Sequence, residues 1–245
     1  MRTATFLLLT LLIISNLIGQ TTSNGLKISH LTGGFYVYTT YKDLNGYLFP
    51  SNSMYLVTDS GVVLFDTPWD TTQFKPLLDS IWRKHSKEAI LCISTHYHDD
   101  RTAGLEFLKQ KGVITYTSKQ TFDLCKEHNE KQAEFYFTQD TTFAVGSQQF
   151  ETYYPGEGHT KDNIVIWFNK EKVLYGGCLV KSTENKGLGN IADANLLEWE
   201  QAIKNVTQKF SKPRFVIPGH FGWTSNKGLT HTIELLKQNN KKNNR

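Results

Sequence analysis

Residues 89–100 read AILCISTHYHDD, which joins the pattern of a buried strand to a group of metal-binding side chains. Its apolar, partly β-branched first half predicts a buried strand over 89–95, which two imidazoles and a carboxylate follow on a turn. In open α/β sheets, functional sites lie at such strand ends. Imidazole suits Zn²⁺ and a carboxylate adds a harder oxygen ligand. Since single-residue spacers let His96, His98 and Asp100 converge, the stretch predicts a metal site at the end of a central strand.

The composition is typical of a globular chain. It has 245 residues, of which 39% are hydrophobic and 13% aromatic, enough for one large or two small domains with a sizeable core. The net charge of +4 and the isoelectric point near 8.8 are only mildly basic. Part of the excess lies in the polar tail 237–245, and no basic stripe suited to nucleic acid is present in the sequence.

The N-terminus has the pattern of a secretory leader. Arg2 precedes a short apolar run, 6–14, which is too short to span a bilayer comfortably. We expect residues 1–20 to be a signal peptide, with the cleavage point left open, and residues 21–245 to form a single domain exported to the periplasm. Since no other segment is apolar enough to cross a membrane, we expect no integral membrane segment after signal removal.

Periodicity divides the rest of the chain into two similar halves, each with hairpins first and strand–helix units after them. The predicted strands cover 28–41, 53–65 with a turn at 59–61, 89–95, 113–116, 142–145, 149–154, 164–168, 172–176 and 214–217. The predicted helices cover 71–85, 103–111, 119–130, 197–210 and 229–238. This order predicts two sheets packed face to face with helices outside.

Three more residues with metal-binding side chains follow predicted strands and lie beside glycines. His159 lies in a PGEGHT segment, Cys178 follows two glycines, and His220 follows a Pro-Gly pair. Glycine lets the backbone approach a site closely. Each alone is a weak signal, because a histidine after glycine is more often a turn residue. The remaining histidines lack polar companions and favour structural roles: His30, His85, His128 and His231.

Together the six candidate ligands divide into two sets. The three-histidine set is His96, His98 and His159, and the Asp–Cys–His set is Asp100, Cys178 and His220. Catalytic zinc typically keeps three protein ligands and a water, whereas structural zinc is closed by four. Two such sets would let one water bridge two ions ~3.5–4 Å apart, as in two-metal hydrolases. Because each set has three ligands rather than four, the pattern favours catalytic over structural metal sites.

At this point the chain resembles the metallo-β-lactamase superfamily, and most closely the class B β-lactamases with mixed His and Cys ligands. The resemblance runs from the early strands to the last helix. Its elements are VVLFDTPW at 62–69, HYHDD at 96–100, GHT at 158–160, GC at 177–178 and PGH at 218–220. The first and last are shared across the superfamily, whereas the cysteine is specific.

Three positions separate this subclass from its relatives. Many other members carry a histidine where this chain has Arg101, and a bridging aspartate near Cys178. The single-zinc subclass has asparagine in place of His96. The resemblance therefore implies two Zn²⁺ ions per chain on the two ligand sets, and an α/β fold built as a four-layer αββα sandwich of two packed mixed β-sheets.

The resemblance also implies roles on the substrate side. Lys181 would bind the substrate carboxylate, and Asn190, in a glycine-rich loop, would stabilise negative charge developing on the β-lactam carbonyl. The hairpin 41–52 would close over the substrate, Asp66 would orient a ligand histidine, and Arg101 would lie beneath Cys178. Without the resemblance, structural or solvated roles would be favoured for all of these.

The implied activity is zinc-dependent hydrolysis of the β-lactam amide bond of penicillins, cephalosporins and carbapenems, which gives antibiotic resistance. We expect a monomer acting on a small-molecule β-lactam, with Asp100 and Asn190 as catalytic residues. A covalent intermediate is not needed, since the sequence has no Ser-x-x-Lys motif to supply one.

Two alternatives remain at this point. Another zinc hydrolase of the same fold could act on a thioester or phosphodiester, which Arg101, Cys178 and export disfavour. A periplasmic zinc-binding or zinc-buffering protein is the non-enzymatic alternative. Open three-ligand sites and the pairing of Lys181 with Asn190 disfavour it.

Overall fold

The computed structural model describes residues 20–21 and 25–243, so the predicted signal peptide lies outside the described residues except for Gln20. The strands are β1 (Gln20–Thr21), β2 (Lys27–Thr32), β3 (Phe35–Leu44), β4 (Tyr47–Val57), β5 (Val62–Phe65), β6 (Ala89–Ile93), β7 (Ile114–Ser118), β8 (Phe135–Phe137), β9 (Thr142–Val145), β10 (Gln148–Tyr153), β11 (Val165–Phe168), β12 (Val173–Gly177) and β13 (Phe215–Pro218). The helices are α1 (Phe74–His85), α2 (Asp99–Thr102), α3 (Leu105–Gln110), α4 (Lys119–Glu127), α5 (Trp199–Lys209) and α6 (Gly228–Asn243).

The first sheet contains β1 to β8 in sequence order. Its strands are antiparallel up to the β4–β5 pair and parallel from β5 to β8, so the sheet is mixed. Side chains alternate between the two faces of a strand. In β5, Val63 and Phe65 face the second sheet, whereas Val62 and Leu64 pack with residues of α1 and α3.

The second sheet has the order β13-β12-β11-β10-β9 and is also mixed, because only the β12–β13 pair is parallel. Its inner face contributes Phe150, Phe168 and Tyr175 to the core between the sheets. Its outer face packs against α5 and α6, where Trp199 and Leu236 are buried. Helix, sheet, sheet and helix thus follow one another, which confirms the predicted four-layer αββα sandwich.

Most predicted elements are present, but the segment after β6 differs from the prediction. A short helix, α2, begins at Asp99 inside the histidine motif, where a turn was expected, and α3 begins only after Gly104. A Cβ at Gly104 would lie 2.9 Å from the Thr67 side chain, so this close packing requires glycine there. Asp100 lies on α2, where the carbonyl oxygen of Arg101 accepts from the N–H of Thr67 at 3.1 Å and the hydroxyl of Ser94 at 2.8 Å, so this helix is fixed against the ends of β5 and β6.

Two further differences concern strands. The predicted strand 28–41 is two strands, β2 and β3, which meet at a turn containing Gly33. The hairpin 41–52 is the outer part of β3 and β4, joined by Asn45 and Gly46, both with positive φ. Strand β8 was not predicted, because three residues at a sheet edge give too short an alternation. Among the described residues, no helix is long and apolar enough to cross a membrane.

Candidate active site

Three imidazoles converge where β6 ends. His96 follows β6, His98 caps the start of α2, and His159 lies in the loop between β10 and β11. Their ring centroids are 4.9–5.1 Å apart and their planes are inclined by 76–90°. One nitrogen from each ring lies within 4.8 Å of the others. The structure therefore brings the whole three-histidine set around one point.

The buried rings of this set are neutral imidazoles. Burial, with smaller contributions from His98 and Lys181 respectively, lowers the pKa of His96 and of His159 well below the usual value. Nε2 of His96 is buried and has no hydrogen-bond partner among the described residues. Because leaving a buried polar atom unpaired costs free energy, a cation at this point would compensate for it.

Asp193 orients the more exposed histidine of the set. Its Oδ2 lies 3.0 Å from Nε2 of His98, so Nε2 carries the proton and Nδ1 is left for the site. Although burial opposes it, hydrogen bonds from His98 and Tyr97 lower the pKa of Asp193, which keeps it ionised. Sequence reasoning missed Asp193, because it lies 95 positions away from His98 in a loop without periodicity.

The Asp–Cys–His set is equally compact. Sγ of Cys178 lies 3.2 Å from Nε2 of His220 and 3.5 Å from Oδ2 of Asp100, and the last two atoms are 3.3 Å apart. Nδ1 of His220 lies 2.7 Å from the carbonyl oxygen of Pro50, to which it donates. This bond fixes the tautomer and directs the Nε2 lone pair at the site.

Protonation distinguishes the members of this set. Burial alone would raise the pKa of Asp100, but Arg101 and His220 hold it well below its usual range. Burial raises the pKa of Cys178 to about 12, although Arg101 opposes the rise. A thiol bound to a metal ion loses its proton, so a bound cation would lower the pKa of Cys178 again.

Arg101 lies beneath this set with its side chain fully buried. Its guanidinium pairs with Asp100 at 2.8 Å and with Asp66 at 3.4 Å. It also donates to main-chain oxygens of Asn52 and Gly219, the hydroxyl of Tyr175 and Sγ of Cys178 at 2.7–3.1 Å. Arg101 thus lies beneath Cys178, the position that the resemblance implied, and its guanidinium also joins both acidic residues to the thiol.

Asp66 acts on the histidines only indirectly. Its carboxylate accepts from the main-chain N–H of Thr95 at 2.6 Å, from the hydroxyl of Thr95 at 2.9 Å and from Tyr175 at 2.6 Å. Oγ1 of Thr95 lies 3.4 Å from Nδ1 of His96, so the connection to a ligand candidate passes through Thr95. Burial raises the pKa of Asp66 to about 6, against the pull of Arg101.

Asn52 holds the loop that carries His220, a role that the sequence did not reveal. Its buried side-chain amide donates to the carbonyl oxygens of Pro218 at 3.1 Å and Phe221 at 2.7 Å. Its main-chain N–H donates to Gly219 at 2.8 Å. Three bonds therefore fix the loop from the side of β4. An asparagine that acts on main-chain carbonyls leaves no pattern in a single sequence.

The donor chemistry of both sets fits zinc. Imidazole and thiolate are borderline or soft donors that suit Zn²⁺, whereas Ca²⁺ and Mg²⁺ prefer all-oxygen sites. Each set offers three donors, which leaves a coordination position for water or substrate. The geometry and donor types are therefore suited to metal-assisted hydrolysis.

A cavity of about 570 Å³ opens over both sets and includes the two residues expected to contact substrate. Lys181 is buried, with Nζ 5.0 Å from the ring centroid of Trp199, and burial lowers its pKa to about 8. Asn190 is exposed on the rim, and its Oδ1 accepts from the main-chain N–H of Ala192 at 3.1 Å. Because that bond engages the amide oxygen, the NH₂ group is the donor that this side chain can offer. A cation and an amide donor therefore line one cavity with the candidate metal ligands.

Known proteins share this sequence pattern and fold. The family described as the metallo-beta-lactamase superfamily matches residues 46–220. A metallo-beta-lactamase type 2 of Elizabethkingia meningoseptica is 41% identical over 223 residues, covering 91% of this chain and 89% of that protein. Metallo-beta-lactamase IND-1 of Chryseobacterium indologenes is 39% identical over 208 residues, covering 85% of this chain and 87% of that protein.

Solved structures agree with these sequence matches. A metallo-beta-lactamase from Pontibacter korlensis superposes with a TM-score of 0.84 at 38% identity, covering 86% of this chain and 99% of its own. The crystal structure of metallo-beta-lactamase IND-7 gives a TM-score of 0.85 at 37% identity, covering 88% and 100%. The similarity therefore extends over nearly the whole of each relative.

Proposed function

Because this chain belongs to the metallo-beta-lactamase superfamily, we propose that it is a zinc-dependent hydrolase of the β-lactam amide bond. Its substrates are penicillins, cephalosporins and carbapenems, and its activity gives antibiotic resistance. The observation behind the proposal is one cavity that is lined by members of both candidate ligand sets and by a buried lysine. The names of the similar proteins support the substrate class.

Two Zn²⁺ ions per chain are part of the proposal. The ligands of one ion are His96, His98 and His159, and those of the other are Asp100, Cys178 and His220. When bound there, zinc would lower the pKa of a coordinated water and polarise the scissile carbonyl. The neutral imidazoles and the short distances among the six side chains support this assignment.

Lys181 and Asn190 bind the substrate. The ammonium of Lys181 attracts the β-lactam carboxylate, and its burial strengthens that attraction because little water screens it. The side-chain amide of Asn190 donates to the carbonyl oxygen as negative charge develops there. Together they orient the amide bond over the three-histidine set.

Asp100 is both a metal ligand and a hydrogen-bond acceptor for the attacking water. Arg101 and His220 keep its carboxylate ionised. One oxygen can therefore accept a hydrogen bond from the attacking water while the other faces the Asp–Cys–His set. Orientation of a nucleophile by such a carboxylate is a common element of hydrolytic sites.

Nitrocefin turnover tests the function. We expect hydrolysis that EDTA abolishes and added Zn²⁺ restores, with two zinc ions per chain by elemental analysis. His98→Ala should remove most activity at low zinc, whereas the control His30→Ala, an exposed histidine whose ring lies 2.8 Å from the main-chain oxygen of Gly33, should not. Zinc binding without turnover of any β-lactam would contradict the proposed β-lactamase activity. Hydrolysis of thioesters or phosphodiesters alone would favour another zinc hydrolase of the same fold.

We also propose that the protein is exported to the periplasm and is a monomer. The charged and then apolar N-terminus supports a signal peptide and a periplasmic location. Cell fractionation with N-terminal sequencing of the mature protein tests both, and light scattering tests the monomer. Enzyme retained in the cytoplasm with Met1 intact would contradict export.

A further inference from the structure

Two residues that lie directly opposite each other on the strands of the hairpin 41–52, Lys42 and Phe49, contact the segment that follows β5 and the start of α2. Nζ of Lys42 lies 2.8 Å from Oδ2 of Asp99 and 4.7 Å from the ring centroid of Trp69. The ring of Phe49 meets the same indole edge-on, with centroids 6.2 Å apart. Both strands of the hairpin therefore contact one indole.

This contact lies at the wall of the cavity. Phe49, Trp69 and Asp99 all line it, and Phe49 also lies 5.1 Å from the ring of His220. Beyond the Lys42–Phe49 pair the hairpin projects freely, since the side chain of Leu48 is 61% exposed. The pair therefore adds contacts on the cavity side to the hydrogen bonds that join Tyr41 to Gln73 and Pro50 to His220 at the base of the hairpin.

We propose that Lys42 is a positioning residue that latches the hairpin, together with Phe49, onto Trp69 and Asp99 and so sets how the enzyme holds its substrate. The latch itself follows from the contacts, and only its effect on substrate rests on the proposed β-lactamase function. Lys42 touches no candidate metal ligand, so its effect passes through the hairpin.

Three contacts that form together make the latch stronger than an exposed ion pair. A lone surface pair contributes little because water and salt screen it. Here the same ammonium lies over an indole face, and its cross-strand neighbour packs on that indole. Opening the hairpin therefore breaks the ion pair, the cation–π contact and the aromatic contact at once.

Lys42 also balances charge in a cavity proposed to bind an anion. Asp99 lines the cavity beside Asp100 and Asp193, so its carboxylate opposes the approach of a substrate carboxylate. The ammonium of Lys42 at 2.8 Å offsets that charge. Loss of Lys42 would free the hairpin and leave Asp99 uncompensated, and both effects weaken substrate binding.

Hydrogen–deuterium exchange measured by mass spectrometry tests the latch without any activity. We expect peptides from 41–52 to exchange several-fold faster in Lys42→Met than in the parent protein, with Lys42→Arg close to the parent. The matched control is Lys75→Met, which removes an exposed ion pair with Asp79 on α1. Equal exchange of the hairpin in Lys42→Met and the parent protein overturns the latch.

Kinetics test the positioning role separately. We expect Lys42→Met to raise KM for nitrocefin roughly 3- to 10-fold, the size of effect expected from one screened pair and one cation–π contact, with kcat and zinc content nearly unchanged. An unchanged KM in an active Lys42→Met enzyme overturns the positioning role. Faster hairpin exchange in a protein that hydrolyses no β-lactam supports the latch and contradicts the proposed function.

Discussion

The three-histidine set and the Asp–Cys–His set lie side by side, but they are held in different ways. In the three-histidine set, burial keeps His96 and His159 neutral by lowering their pKa values, and the outermost ring is oriented by Asp193, whose side chain is 40% exposed. The Asp–Cys–His set rests on Arg101, a fully buried cation that contacts two carboxylates, a thiol and main-chain oxygens. The outermost ring of the first set is therefore held from the solvent side, whereas the second set rests on the core.

This difference predicts that the two sets respond differently to mutation and to zinc. Neutral imidazoles can accept a cation without first losing a proton. The thiol of Cys178, whose pKa burial raises to about 12, must lose one. The Asp–Cys–His set therefore depends on its buried surroundings for both stability and metal affinity.

Arg101→Met tests the buried support most severely. It leaves Asp66 and Asp100 without their buried cation, and breaking a buried pair from one side costs about 3–5 kcal/mol. We expect a loss of that size in the free energy of unfolding, measured by urea denaturation of the metal-free protein. The control is Arg83→Met, an exposed arginine on α1. A loss in Arg101→Met as small as in this control would show that Arg101 is not the support of the set.

His98→Ala and Cys178→Ser compare the two sets directly. At low zinc each should lower kcat/KM by more than the ~10–100-fold that loss of an outer hydrogen-bond partner of a metal ligand costs. We expect excess zinc to restore Cys178→Ser further, because serine keeps an oxygen at the position, whereas alanine at 98 leaves no donor. Nitrocefin kinetics across a zinc titration measure both, and identical recovery would remove the distinction between the sets.

The sequence predicted the fold and the candidate ligands because both depend on local pattern. Strand periodicity and the short spacing of His96, His98 and Asp100 are visible within a few residues, and His159, Cys178 and His220 each follow a strand beside glycine. The order of the elements and the count of ligands predicted two packed sheets and two ligand sets, and the resemblance then added the two zinc ions and the αββα layering. Those predictions required only the residues that follow each predicted strand, and they did not depend on how the loops pack.

The supporting residues could not be predicted for a physical reason. Asp193 bonds His98 across 95 positions, and Asn52 bonds the Pro218 carbonyl across 166. Such contacts exist only after the sandwich has closed, and neither residue belongs to a repeat or a motif. The early start of α2 was also missed; the helix is joined to the ends of β5 and β6 by bonds from Thr67 and Ser94 to the carbonyl oxygen of Arg101, which form only in the folded chain.

Asn52→Ala tests the support of His220 by the core. Removing its amide leaves the carbonyl oxygens of Pro218 and Phe221 without these donors, and an unpaired buried group costs about 1–3 kcal/mol. We expect an unfolding loss in that range and weaker binding of the second zinc equivalent, measured by calorimetric titration. Asn169→Ala, an exposed asparagine that accepts from Lys172, is the control. Loss of the first zinc equivalent alone would contradict the assignment of His220.

Asp193→Asn should have the smallest effect of these variants. Asparagine can still accept from Nε2 of His98, so orientation persists, but the carboxylate charge that makes His98 a better donor to zinc is lost. The partial exposure of Asp193 limits that loss, and we expect ~10-fold weaker zinc binding, the low end for an outer partner of a metal ligand. The free energy of unfolding should stay near that of Asp123→Asn, an exposed aspartate paired with Lys119 on α4. If Asp193→Asn instead weakens zinc binding at the Asp–Cys–His set, Asp193 does not act on the three-histidine set alone, and the proposed difference between the two supports is wrong.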